Sequence, residues 1–188
     1  MEALLKKEIV VNKTICRLIG VAGFIVLTGL GAFVRVPLPF TPVPLTLQTF
    51  FVLLSGAFLG GRLGALTQLS YLFLGATGLS LFSGVASGPY YLLGPTGGYL
   101  LGFVIAAFFL GKALKHSSQS FLLTFAMFCA ADVMLLSCGV LWLKVLTGLS
   151  FAKLMLIGFV PFIAGDLVKA AVAASLYKKL KTRIENIF

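Results

Sequence analysis

From Leu63 to Gly111 the chain runs 49 residues without a charged side chain. As one helix this run would extend about 74 Å at ~1.5 Å per residue. A bilayer's hydrocarbon core is only ~30 Å thick. The run must therefore cross a membrane and fold back. Ser83–Tyr99, SGVASGPYYLLGPTGGY, holds the place for that turn, being rich in Gly and Pro. It also carries Tyr90, Tyr91, Tyr99, Ser87 and Thr96, more polar atoms than a plain hairpin needs. Pro95 before Thr96-Gly97-Gly98 reads as a helix opening, because Pro is tolerated where the first-turn N–H would be unpaired anyway.

The rest of the chain has the same character. Of 188 residues, 60% are hydrophobic and 11% charged, and the mean hydropathy is +1.09. A soluble domain is nearer half apolar and a quarter charged. The expected fold is an all-α integral membrane bundle, a single domain over 1–188. Six helices are expected at about 16–34, 45–60, 63–82, 96–114, 118–143 and 154–177. A surface segment at 1–15 precedes them and a basic tail at 178–188 follows. No small-x-small cleavage site ends the first apolar run, so the segment before it is read as an amphipathic surface element and not as a secretion signal.

The net charge of +10 would suggest nucleic acid in a soluble protein. Here orientation in the bilayer accounts for it, and no nucleic-acid partner is expected. With the N-terminus inside, the inner segments hold Lys6, Lys7, Lys13, Arg17, Arg62, Lys112, Lys115, Lys178, Lys179, Lys181 and Arg183. The outer segments hold only Arg35, Lys144 and Lys153, and Lys169 falls within a span. That imbalance puts both termini in the cytoplasm. The proline loop VPLPFTPVP at 36–44 and the 83–95 loop then meet at the outer mouth as two ordered loops.

Asp166 and Lys169 lie three apart within the last span, so they share a helix face. A charge at such a depth costs several kcal/mol on insertion scales of about 2.5–3.5 per residue. Such a pair either neutralises itself to fix helix packing or contacts a solute, and the second reading is preferred. An Asp accepts from N–H groups and a Lys donates to a carbonyl or carboxylate. Together they suit a ligand with adjacent N–H and C=O groups, such as a cyclic urea or amide. Gly94, Thr96, Gly97 and Gly98 offer backbone N–H groups at a helix start, where the dipole is positive; a simple turn is the plainer reading. Thr46, Gln48 and Thr49 follow the proline loop as donors and acceptors aimed at an outer cavity, or as groups bonding their own backbone. Asp132 reads as a polar contact within the bundle. The tyrosines are either interfacial belt residues or walls for an apolar ring.

No catalytic or metal-binding pattern is present. Cys16, Cys129 and Cys138 form no CxxC pair, and the lone His116 sits in a polar turn. There is no Ser/His or Cys/His set, no HExxH and no Walker A motif. No cofactor is expected, and the chain is expected not to be an enzyme. Nothing in it would hydrolyse a nucleotide to power pumping.

The segments PVPLTLQT (42–49), YLFLGATGLSLFSG (71–84), GPTGGYLLGF (94–103) and PFIAGDLVKA (161–170), in this order and spacing, resemble the biotin-specific S component of energy-coupling factor transporters, the BioY family. The resemblance covers about 16–180. It implies a six-helix vitamin-binding subunit of the bacterial plasma membrane. Such a subunit takes biotin from outside and pairs with a transmembrane coupling subunit and two ATPase subunits. It also maps a ligand site onto Ser83, Gly84, Gly88, Tyr90 and Tyr91, onto Gly94–Tyr99, and onto Asp166 and Lys169. Gln48 joins this set from the residue reading. Pro39, Phe40, Thr41 and Pro42 would form a lid. Gly20, Ala22, Gly23, Thr28 and Ala32 would supply small residues for docking to the coupling subunit. An S component for another small vitamin is the alternative. An intramembrane enzyme using Asp132 or Asp166 as a base is a weaker one, because no second catalytic group accompanies either.

Overall fold

The computed structural model describes residues 13–115 and 120–185. The segment 1–12, His116 and the last three residues lie outside the described residues. The chain forms α1 (Lys13–Phe33), β1 (Arg35–Val36), β2 (Leu45–Thr46), α2 (Gln48–Leu59), α3 (Gly61–Ala76), α4 (Pro89–Leu92), α5 (Gly97–Lys115), α6 (Phe121–Thr147), α7 (Phe151–Gly158) and α8 (Val160–Glu185). Among the described residues, α1, α5, α6 and the Val160–Lys181 part of α8 are long and apolar enough to cross a bilayer. The shorter α2 is also apolar.

Small residues bring α2, α3 and α5 together. A Cβ on Gly64 would lie 2.7 Å from the Gly56 Cα, and one on Gly111 would strike the Gly56 carbonyl and the Gly60–Gly61 turn. Three backbones therefore approach directly, as small residues allow in membrane bundles. Val52, Leu53, Ala106, Ala107 and Leu110 are buried around this crossing.

Helix boundaries depart from the apolar runs for local reasons. The run at 45–60 does not start as helix. Leu45 and Thr46 pair antiparallel with Val36 and Arg35, which folds the proline loop back onto the bundle. The Leu47 N–H then donates to the carbonyls of Gly31 and Val34 at 3.2 and 3.1 Å. The run at 63–82 leaves the helix after Ala76, where Gly78 takes φ +111°. The next residues form a tight loop. Phe82 N–H donates to Ala86 O at 3.0 Å and Gly88 N–H to Gly75 O at 2.8 Å. Phe82 is fully buried, stacked on Tyr91 at 4.9 Å between ring centroids and edge-on to Tyr71 at 5.8 Å.

The expected last span, 154–177, is two helices, α7 and α8, broken at Phe159. Pro161 explains the break: it has no N–H for the preceding turn, and its ring clashes with the carbonyl four residues back. The Phe162 N–H turns to Phe159 O at 3.1 Å. That leaves the Gly158 carbonyl for another donor, the Tyr99 hydroxyl, at 2.6 Å.

Candidate functional site

A partly open cleft with a cavity volume of about 50 Å³ lies where these irregular segments meet. Val43–Thr46, Gln48 and Thr49 form one wall, and Ser83, Tyr91 and Thr96 form the loop side. Tyr99, Leu100 and Phe103 come from α5, and Leu135 and Leu136 from α6. Phe162, Asp166 and Lys169 close it from α8. The lining is mostly apolar, with its charge confined to one corner.

That corner is an ion pair. Lys169 Nζ lies 2.5 Å from Asp166 Oδ1, with the two side chains 12% and 4% exposed. Lys169 also donates to Thr46 O at 2.9 Å and Thr49 Oγ1 at 2.8 Å. An ammonium has three protons, and here each has an acceptor. Thr49 Oγ1 in turn donates to Asp166 Oδ1 at 3.3 Å. The pair thus clamps α8 to the β2–α2 corner. Asp166 Oδ2 and Ser83 Oγ are buried without a hydrogen-bond partner. Asp132 Oδ1 also meets no donor, and its carboxyl lies against that of Asp166, the two residues lining a second crevice. Buried unpaired polar atoms cost about 1–3 kcal/mol each. Ser83 and Asp166 both line the cleft and give it hydrogen-bonding capacity in an otherwise largely apolar wall.

Of the residues expected at the site, the structure brings together Gln48, Ser83, Tyr91, Thr96, Tyr99, Asp166 and Lys169. Gln48 donates to Tyr71 Oη at 2.6 Å and accepts from Thr46 Oγ1 at 3.2 Å, so it braces the wall. Several expected residues lie elsewhere, each for a visible reason. Tyr90 is 85% exposed. Gly84 has φ +85° and packs against the Arg35 guanidinium, so it is a turn glycine. Gly88, at φ +92°, ties the loop to α3 through its N–H. Gly94 uses its carbonyl to accept from Trp142 Nε1 at 2.9 Å. Gly97 and Gly98 are buried against the Leu92 carbonyl and the Trp142 side chain. They serve close helix packing, and the Gly97 N–H is already bonded to Gly94 O at 3.0 Å.

The residues expected as a lid do not line the cleft. Pro39, Phe40 and Pro42 are exposed, with Phe40 at 57%, and Thr41 only supports the turn by accepting from Val43 N–H. Val43 and Pro44 are the residues of that loop that reach the cleft. On α1, Ala22 and Gly23 are exposed and Gly20 is half-buried. Thr28 and Ala32 are fully buried, which takes them off any docking face. Their spacing is right for a small-residue stripe, but the stripe faces inward. The apolar walls, Leu100, Phe103, Leu135, Leu136 and Phe162, carry no sequence signal that separates them from ordinary core.

Apolar helices long enough to cross a membrane, and a largely apolar cleft with a buried ion pair in its corner, are the features of a solute-binding membrane protein. Comparison with known proteins narrows this. The sequence profile of the BioY family matches residues 5–186. A probable biotin transporter BioY of Pyrococcus horikoshii is 40% identical over 161 residues, covering 86% of this chain and 93% of that one. The biotin transporter BioY of Thermotoga maritima is 40% identical over 158 residues, covering 84% and 91%. The crystal structure of an S-component for biotin from an ECF-type ABC transporter superposes with a TM-score of 0.84 at 25% identity, covering 91% of this chain and 93% of that one. The chain belongs to the BioY family.

Proposed function

We propose that this chain is the biotin-binding S component of an ATP-driven ECF-type uptake system, a transport protein and not an enzyme. The observation that carries the reading is the cleft: an apolar chamber whose unpaired polar atoms belong to Asp166 and Ser83. A ureido ring brings N–H donors for Asp166 and a carbonyl for the neighbouring hydroxyls. Because all three Lys169 protons are already taken, Asp166 is the better-placed partner, and a ligand carboxylate on Lys169 would have to displace Thr46 or Thr49. A thioether ring and alkyl tail suit Tyr91, Leu100, Phe103, Leu135 and Phe162.

In this reading α1, α2, α3, α5, α6 and α8 make six crossings, with both termini cytoplasmic and the cleft opening outward. The α2 and α3 helices have 12 and 16 residues, about 18 and 24 Å, so their irregular flanks complete the crossing inside the bundle, where non-helical backbone is tolerated. The chain sits in the bacterial plasma membrane. It takes no cofactor and docks, through the exposed α1 face around Gly20, Ala22 and Gly23, onto a membrane coupling subunit served by two ATP-hydrolysing subunits. Binding of labelled biotin to the purified protein in detergent, against thiamine and riboflavin, is the direct test. Saturable binding of biotin alone is expected. No binding at micromolar biotin, or preference for another vitamin, would sink the reading.

A further inference from the structure

At the end of the bundle away from the cleft lies an open basin of about 840 Å³. From Phe103 in the cleft to Lys112 at the basin, α5 runs about 14 Å at 1.5 Å per residue. Arg17 of α1, Arg62 of α3, Lys112 and Lys115 of α5, and Lys181 of α8 converge on the basin, and no acidic residue lines it among the described residues. Phe58, Leu59, Leu63, Leu114 and Tyr177 supply the apolar part of its lining. Lys112 Nζ stands over the Phe108 ring, 4.6 Å from its centroid. The first turn of α3 contains no acid and has no side-chain cap. At Gly60, just before it, nothing lies within 4 Å of where a Cβ would stand.

The orientation rule accounts for cations at this end of the molecule. It does not account for their convergence, from four helices, on one concavity. We propose that the basin binds the headgroup of an anionic phospholipid, its phosphate among Arg62, Lys112 and Lys115 and an acyl chain along the apolar wall. Cations together with an aliphatic and aromatic lining match the two halves of a lipid. An acidic protein segment would match the cations alone. Basic recesses between membrane helices on the cytoplasmic side hold lipid headgroups in this way. The inference needs the bilayer and not the identity of the solute in the cleft.

Native mass spectrometry of the full chain in detergent tests it, titrating phosphatidylglycerol against phosphatidylcholine with the same acyl chains. Phosphatidylglycerol is expected to be retained at a concentration lower by about tenfold or more, since each basic contact favours an anionic lipid. The preference is expected to vanish in Arg62→Gln/Lys112→Gln/Lys115→Gln, with a thermal melt to check the fold. If the triple variant does not fold, the single Lys115→Gln should still narrow the preference. Equal retention of both lipids, or a preference unchanged in the variants, overturns the proposal. So does full competition by soluble glycerol phosphate at the same concentration, which would make the site one for free phosphate. Loss of an acidic partner protein from the triple variant with lipid retention intact would make the basin a protein-docking surface and equally overturn it.

Discussion

Replacing Lys169 by methionine removes the ammonium that bonds Asp166, Thr46 and Thr49 together. The Asp166 carboxylate, 4% exposed, is then left charged without a counter-ion, with Thr49 Oγ1 as its donor. Removing one partner of a buried pair costs about 3–5 kcal/mol, whereas replacing both by apolar groups of similar volume is often neutral or stabilising. Lys169→Met should therefore melt well below the native protein in detergent, and Asp166→Leu/Lys169→Met should recover most of that loss. Binding should follow a different pattern. Asp166→Asn keeps the shape and still offers Lys169 an oxygen, so the fold should persist. The ligand loses an ionised acceptor, a hydrogen bond of about 1.5–3 kcal/mol. With tenfold in affinity per ~1.4 kcal/mol, biotin should bind about ten- to a hundredfold more weakly. The double apolar variant should be stable and fail to bind. A stable double variant that binds biotin like the native protein would show the pair to be a packing device, and unchanged affinity in Asp166→Asn would refute the role given to its carboxylate.

Other changes separate bracing from binding. Tyr99→Phe leaves the Gly158 carbonyl unpaired and should lower stability by about 1–3 kcal/mol, read by thermal melting; no shift would mean the carbonyl finds another donor. Gly98→Ala drives a methyl into Trp142 and should cost about 1–3 kcal/mol as an overpacked contact, whereas a native melting curve with weakened binding would return this glycine to the ligand site. Tyr90→Ala, at an exposed position, should change biotin affinity by no more than about twofold, the ordinary scale of surface substitutions. Ser87→Cys and Lys112→Cys, both at exposed positions, should react with an impermeant thiol reagent from outside and from inside respectively; the opposite pattern would invert the topology.

Charge was the most readable property of this chain. The long uncharged run forced a turn, and Asp166 and Lys169, three apart in an apolar span, do form a buried pair lining a cleft. The break before Pro161 was not read from the sequence, where one helix was expected over 154–177, nor was its consequence for Gly158. Glycines and tyrosines misled because one residue type serves several ends. Gly97 and Gly98 suggested exposed N–H groups, but Trp142, more than forty residues on, packs against them. Tyr71 and Tyr99 are buried with bonded hydroxyls while Tyr90 is exposed, and nothing local distinguishes them. The inward face of Thr28 and Ala32 depends on where α2 and the 77–82 loop dock, which spacing along α1 does not encode.

A physical thread joins the features that were hard to read. In a membrane, backbone polar groups must be satisfied within the protein, so every departure from helix creates a debt of unpaired carbonyls. Here one side chain after another answers such a carbonyl. Lys169 donates to Thr46 O, Tyr71 to Leu81 O, Tyr91 to Ser83 O, Trp142 to Gly94 O and Tyr99 to Gly158 O. Four of these five donors are aromatic side chains with a polar tip, which carry a hydrogen bond into apolar surroundings at little cost in polar surface. These five carbonyls are thus satisfied within the protein and make no demand on a solute. What remains open is side-chain capacity, the second oxygen of Asp166 and the hydroxyl of Ser83. A site so prepared discriminates by polar matching: a solute lacking hydrogen-bonding groups would leave those atoms unpaired, at about 1–3 kcal/mol each. On this argument a ring of the same shape without N–H groups should lose affinity through Asp166, and the loss should shrink in Asp166→Asn. Equal losses in both proteins would place the discrimination in the apolar walls instead.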